Sequence, residues 1–159
     1  MKVAIYPGTF DPITNGHLDI IYRAVELFDK VFVSVVNSPP KNNLLFSSSE
    51  RISLIQKSLK DFPSVRVESF DGLMVKHAKK HSANAVIRGL RVLSDFENEF
   101  KMALMNRNLN DKISTVFLMT HEKYTHISSS MVREVISLGG DVGKYVPEHV
   151  DVALKRKFK

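Results

Sequence analysis

Twelve consecutive residues, Tyr6-Pro7-Gly8-Thr9-Phe10-Asp11-Pro12-Ile13-Thr14-Asn15-Gly16-His17, concentrate the chemistry of this chain. Two glycines let backbone approach a ligand closely, and two prolines fix the course of the chain. Thr9 and Thr14 supply hydroxyl donors. His17 supplies an imidazole N–H able to meet charge developing on a phosphoryl oxygen. The apolar Val3-Ala4-Ile5 before this run reads as a buried strand, and Leu18, Ile20, Ile21, Ala24, Val25 and Phe28 after it recur at helical spacing. A strand joined to a helix by such a turn aims backbone N–H groups and a helix N-terminus at one spot, which suits an anion.

Two further stretches offer matching chemistry. Ile127-Ser128-Ser129-Ser130-Met131-Val132-Arg133 places three hydroxyls at the predicted start of a helix, where β- and γ-phosphates can bind, with Arg133 three residues beyond Ser130 on the same face. Ile87-Arg88-Gly89-Leu90-Arg91 sets two arginines about a glycine, a fork for phosphate oxygens. Glu99, in the following helix, can accept hydrogen bonds from a sugar or base, or can orient an arginine. Lys41 adds a cation from a third segment.

These stretches need a frame. At 159 residues, 43% of them hydrophobic, the chain fits one domain spanning residues 1–159 with a full core. The absence of Cys excludes disulfides, thiolate metal sites and a Cys nucleophile. Met1-Lys2 leads directly into the first strand, and no apolar run approaches the length of a membrane helix, so a cytoplasmic protein is expected. The net charge of +6 suits an anionic partner. Part of it lies in Lys155-Arg156-Lys157-Phe158-Lys159, expected to be a frayed, solvated tail.

Strands are expected at 3–5, 31–36, 65–68, 85–87 and 115–118. Helices fall between them: one from the Ser47-x-x-Glu50 capping box to about Lys60, one capped by Asp71 and running to about His81, and one over 94–108. The last of these carries Phe96, Phe100, Ala103 and Leu104 on its inner face. Ser128 or Ser129 caps a helix ending at Gly139-Gly140, and Pro147 opens a terminal helix. Five strands separated by helices imply an α/β class: a doubly wound, five-stranded parallel sheet with helices on both faces. Ligands bind such sheets outside the carboxyl ends of the strands. That rule gathers all the stretches above along one edge.

Gly8-Thr9-Phe10-Asp11-Pro12 followed by Thr14-Asn15-Gly16-His17 resembles the [His/Thr]-x-Gly-His signature of the nucleotidyltransferase superfamily, and Ile127 to Arg133 resembles its second signature. With Arg88 to Glu99 between them, in this order from Ala4 to about Glu148, the chain resembles the phosphopantetheine adenylyltransferase family. The resemblance implies a Rossmann-like fold and adenylyl transfer from ATP to 4'-phosphopantetheine, a step of coenzyme A synthesis. It implies that Thr9, Phe10, His17, Gly89, Leu90, Arg91, Glu99, Tyr124, Thr125, His126, Ile127, Ser128, Ser129 and Ser130 line the ATP site, with His17 stabilising the transition state. Thr9, Lys41, Met74 and Arg88 would hold 4'-phosphopantetheine. A homohexamer and feedback binding of coenzyme A are further implications. The chain departs from the family at Asn98, where Tyr is common, at Tyr124, where Trp is common, and in a longer loop at Lys41.

The nucleophile in such a reaction is already an anionic phosphate, so neither a general base nor a covalent enzyme intermediate is required. Magnesium is expected to arrive with ATP, held by phosphates and water, since no carboxylate cluster has metal-ligand spacing. His77 and His81 lie four apart on a predicted helix, but no third ligand is evident, and a solvated face is expected. Met102, Met105 and Leu109 read as core or subunit contact. A pyridine-nucleotide adenylyltransferase or a cytidylyltransferase would share the two signatures, though not the Arg88–Glu99 stretch. A nucleic-acid-binding domain would need a basic row interleaved with aromatic residues, and the sequence has none.

Overall fold

Strand β1 (Val3–Gly8) holds the centre of a parallel sheet ordered β3-β2-β1-β4-β5, with β2 Lys30–Val36, β3 Val65–Phe70, β4 Ala85–Leu90 and β5 Ser114–Met119. The computed structural model describes residues 1–39 and 43–159. Lys41, expected to bind phosphopantetheine, lies outside the described residues. The chain builds β1, β2 and β3 outward to one side, then returns to place β4 and β5 on the other. The strand order therefore reverses between β1 and β4, and a crevice opens there above the carboxyl ends.

Alternation along β1 divides its side chains between two cores. Ala4 and Tyr6 join Val31, Val33 and Val35 beneath helices α1 (Asn15–Leu27), α2 (Ser48–Ser58), α5 (Ser129–Ser137) and α6 (Glu148–Lys157). Val3 and Ile5 face the other way, with Phe32, Val86 and Ala78 of α3 (Met74–Lys80). Burial on both faces explains why β1 and β2 read as continuous apolar runs. Helix α4 (Leu93–Leu109) runs between β4 and β5. All helices expected from the sequence are present.

Several local expectations change. The expected inner face of α4 is uncovered, with Phe96, Phe100 and Leu104 exposed by 42, 46 and 48% and no residue of the helix buried. Periodicity marks an apolar face but does not say what covers it. Asp71 does not cap α3, whose N-cap is Leu73. A turn at Gly72 (φ +83) intervenes, and Asp71 instead accepts a 2.8 Å hydrogen bond from Asn37 Nδ2. Pro147 precedes α6 as its N-cap rather than opening its first turn. The basic terminus is helical through Lys157 instead of frayed. Leu154 anchors it in the core, while Lys155 pairs with Asp151 at 2.6 Å and Lys157 with Glu50 at 2.8 Å.

The end of α5 agrees with expectation in detail. Gly139 adopts φ +82, its N–H donates to the Ile136 carbonyl, and the Gly140 N–H donates to that of Val135. These two bonds satisfy carbonyls the helix leaves free, in a conformation that favours glycine.

Candidate active site

Thr14 is the N-cap of α1, and His17 completes a capping box with it. The Thr14 side chain accepts from the His17 N–H at 3.3 Å, and His17 Nδ1 accepts from the Thr14 N–H at 3.0 Å. A backbone amide can only donate, so Nδ1 is the unprotonated nitrogen and Nε2 carries the hydrogen of the neutral ring. Burial, and to a lesser extent the Arg91 guanidinium, lower the His17 pKa to about 4. The imidazole is thus a neutral N–H donor with a fixed tautomer. Capping and ligand binding are not rival uses of this residue, because each employs a different nitrogen.

His17 lines a cavity of about 640 Å³ above the carboxyl ends of β1 and β4, within the size range of small-molecule sites. The same walls hold Thr9, Phe10, Arg88, Gly89, Arg91, Glu99, Ile127, Ser128, Ser129 and Ser130. Both N-caps, Thr14 of α1 and Ser128 of α5, belong to the lining, so two helix N-termini meet one space. Leu90, Met74, Tyr124, Thr125 and His126 lie outside this lining. Tyr124 stands beside Gly16 at the start of α1, while the His126 ring meets Tyr145 edge-on at 5.7 Å. Met74 packs against the core on the α3 face.

Gly8 is required by close packing. A Cβ there would lie 2.8 Å from Cζ of the buried Phe10 ring, whose backbone itself sits at φ 50. Phe10 in turn meets Tyr6 and His17 edge-on, at 5.4 and 5.1 Å between ring centres. Burial pushes the Tyr6 hydroxyl above its ordinary pKa, so it stays protonated.

Among the described residues, each arginine of the lining is paired with a carboxylate. Arg88 donates from Nε and Nη2 to the two oxygens of Glu99, both at 2.6 Å. Burial works against the Arg88 charge, but these bonds outweigh it and raise its pKa. Of the uses the sequence leaves open for Glu99, the one realised here is to orient an arginine. Arg91 pairs with Asp95 at 3.0 Å and donates to the Ile127 carbonyl at 3.2 Å. Arg133 lies 3.4 Å from the buried Asp11 carboxylate and also donates to the Asp11 carbonyl. The walls therefore carry oriented guanidinium groups with compensating charge behind them, not the unopposed positive field suggested by the arginines alone.

The serines divide their work. Ser128 Oγ accepts from the Met131 N–H at 3.1 Å, Ser129 Oγ donates to the Pro12 carbonyl at 2.7 Å, and Ser130 Oγ lies 3.1 Å from Ser128 Oγ. The middle serine thus ties α5 to the loop after β1.

Sequence reasoning missed Arg51. This residue of α2 is 1% exposed, and it donates to the carbonyls of Thr9 at 2.7 Å, Val36 at 2.9 Å and Asn37 at 3.3 Å. It fixes the ends of β1 and β2 where the cavity begins. Asp11 of the motif has a structural part that spacing does not reveal: its carboxylate accepts from the N–H groups of Leu45 and Phe46 at 2.8 and 2.9 Å. The first signal available for either residue is a charged side chain in a stretch that packs against the core.

The cytidylyltransferase-like family model matches residues 5–135. The phosphopantetheine adenylyltransferase of Caldanaerobacter subterraneus subsp. tengcongensis is 53% identical over 159 residues, covering 100% of this chain and 99% of that protein. The phosphopantetheine adenylyltransferase of Carboxydothermus hydrogenoformans is 50% identical, covering 100% of this chain and 98% of its own. In structure, a nicotinate-nucleotide adenylyltransferase assignment from Vibrio parahaemolyticus superposes with a TM-score of 0.67 at 20% identity, over 98% of this chain and 99% of that one. A bifunctional NMN adenylyltransferase/ADP ribose pyrophosphatase from Francisella tularensis gives 0.74 at 16% identity, over 98% of this chain and 49% of that one. At those identities the two structures speak for the fold alone. Sequence similarity along the whole chain is decisive: it belongs to the cytidylyltransferase-like nucleotidyltransferases and, within them, to the phosphopantetheine adenylyltransferase family.

Proposed function

We propose that this chain joins ATP and 4'-phosphopantetheine by direct in-line transfer. The terminal phosphate of 4'-phosphopantetheine attacks the α-phosphorus of ATP, the bond from that phosphorus to the bridging oxygen breaks, and pyrophosphate leaves. Dephospho-coenzyme A is the other product. The observation that carries this reading is the neutral His17 ring, with Nδ1 bound to Thr14, in a cavity shared by two helix N-termini and oriented arginines. A preorganised donor stabilises charge that develops on non-bridging oxygens without reorganising during the reaction. Both substrates are anionic, so alignment against their mutual repulsion supplies much of the rate.

His17 Nε2 serves as that donor. Arg91, Gly89, Leu90, Phe10 and Ile127 to Ser130 bind ATP, with Tyr124, Thr125 and His126 completing its side of the site. Arg88, positioned by Glu99, holds the acceptor phosphate together with Thr9 and Lys41, and Met74 flanks the pantetheine arm. Magnesium carried with ATP would supply neutralisation of phosphate charge. Asp11, Asp95 and Glu99 are each engaged by an arginine, so magnesium is assigned to phosphates and water rather than to a protein ligand.

The uncovered apolar face of α4 supports subunit association, proposed to be a homohexamer. Feedback binding of coenzyme A in the acceptor site follows from its shared pantetheine arm. Among the described residues no helix is long and apolar enough to cross a membrane, and the reaction is assigned to the cytoplasm.

Pyrophosphate release measured with ATP or CTP, against 4'-phosphopantetheine and pyridine mononucleotides as acceptors, tests the assignment. Turnover is expected only with ATP and 4'-phosphopantetheine. Preference for CTP or for a pyridine mononucleotide overturns it.

A further inference from the structure

His77 and His81 do not form the solvated face expected from sequence. His77 is buried, His81 is largely covered, and a third donor faces them from β3. Glu68 Oε1 lies 3.1 Å from His77 Nε2 and 2.5 Å from His81 Nε2, and the donor atoms of all three residues lie within 4.8 Å of one another. Strand and helix together supply what neither shows alone: the carboxylate projects from the sheet, and the two imidazoles reach it from successive turns at the end of α3.

We propose that Glu68, His77 and His81 bind a divalent transition-metal ion of the zinc class. Two imidazoles and a carboxylate are a recurrent donor set for such ions, whereas calcium and magnesium favour all-oxygen sites. Two features of the site point to a ligand. Glu68 Oε1 and His81 Nε2 are shielded from solvent yet neither has a hydrogen-bond partner, although they lie 2.5 Å apart. Buried polar atoms in native proteins are seldom left in that condition, and an ion between them satisfies both. The rings are also held in place, His77 stacked on Phe70 at 4.4 Å and His81 against Phe32 at 4.2 Å between ring centres. Donors of a tetrahedral zinc ion stand about 3.3 Å apart, given bonds of about 2.0–2.1 Å. To admit the ion the 2.5 Å contact of His81 with Glu68 must lengthen, and the widest donor pair, now within 4.8 Å, must close. The fully buried Ser34 Oγ is hydrogen-bonded to His77 Nε2 at 2.9 Å, a bond that the ion would replace. A bound ion would clip the end of α3 to β3, away from the cavity containing His17.

The full-length chain, treated with a chelator and desalted, is titrated with zinc chloride alone by calorimetry, and with cobalt(II) by visible absorption. The expected result is one zinc per chain, tetrahedral cobalt bands, a rise in thermal midpoint with zinc, and no competition from magnesium. In His81→Gln and Glu68→Gln, zinc affinity is expected to fall at least about a hundredfold and the thermal rise to vanish. Circular dichroism of both variants in chelator verifies that each is folded; His81→Gln, at the less buried position, remains informative if Glu68→Gln is not. No zinc binding by the parent chain, or a loss below about tenfold in the folded variants, overturns the proposal.

Discussion

The Thr14 N–H and His17 Nδ1 are 3.0 Å apart, and this one bond assigns both the tautomer of the imidazole and the direction in which it can donate. With the His17 pKa lowered to about 4 by burial and by Arg91, the ring stays neutral throughout the neutral range. The pH profile of kcat is expected to show no inflection near 6.5 from this residue, with loss only as pH approaches about 4. Because the folded-state value lies below the unfolded one, the stability contributed by neutral His17 is present above about 6.5 and is lost as pH falls from there through about 4. NMR titration of labelled histidine checks this. A His17 midpoint near 6.5 contradicts it.

In the proposed site Glu99 would act on the acceptor through Arg88, which it holds by two hydrogen bonds. Glu99→Gln leaves the side-chain shape but removes the charge and one of the two accepting oxygens that fix the guanidinium. The KM for 4'-phosphopantetheine is expected to rise about tenfold, on the scale of one charge-assisted hydrogen bond, with the KM for ATP little changed. Steady-state kinetics with each substrate varied in turn makes the comparison. Equal increases in both constants speak against this division.

Arg51→Met should be costly although it leaves every lining residue in place. Three carbonyls, those of Thr9, Val36 and Asn37, lose their buried donor. A loss of about 3 kcal/mol is expected, with a thermal midpoint on the order of 10 °C lower. Denaturant and thermal unfolding measure both. A variant as stable as the parent removes Arg51 from its bracing role.

Phe100 and Leu104 lie one turn apart on α4, both about half exposed. Leu104→Glu is expected to shift the assembly to smaller species in analytical ultracentrifugation, since a carboxylate is poorly tolerated in a buried apolar contact. A parent chain that sediments as a monomer at micromolar concentration rejects an interface on this face.

What could be foreseen follows sequence distance. The Thr14–His17 capping pair and the glycine turn at Gly139 are local, so spacing alone exposes them. The α/β order was equally legible, because strands covered on both faces leave apolar runs that alternate with helical periodicity. Arg51 was not, since its partners lie as far as 42 residues away. The Glu68–His77–His81 cluster escaped for the same reason: helical spacing reveals two donors, but only the packing of α3 on β3 brings the third. The α4 face shows the opposite failure: periodicity marks its apolar residues, but no described element of the chain covers them. Pairing of Arg88 with Glu99 was one of two readings that spacing allowed, and geometry selected it.

Steady-state turnover of His17→Ala, with its KM for ATP, tests the proposed chemistry most directly. Loss of the donor is expected to lower kcat by about 10²–10³ while the KM for ATP stays within about threefold. A kcat within about tenfold of the parent enzyme, or a defect confined to KM, contradicts a transition-state role for this imidazole.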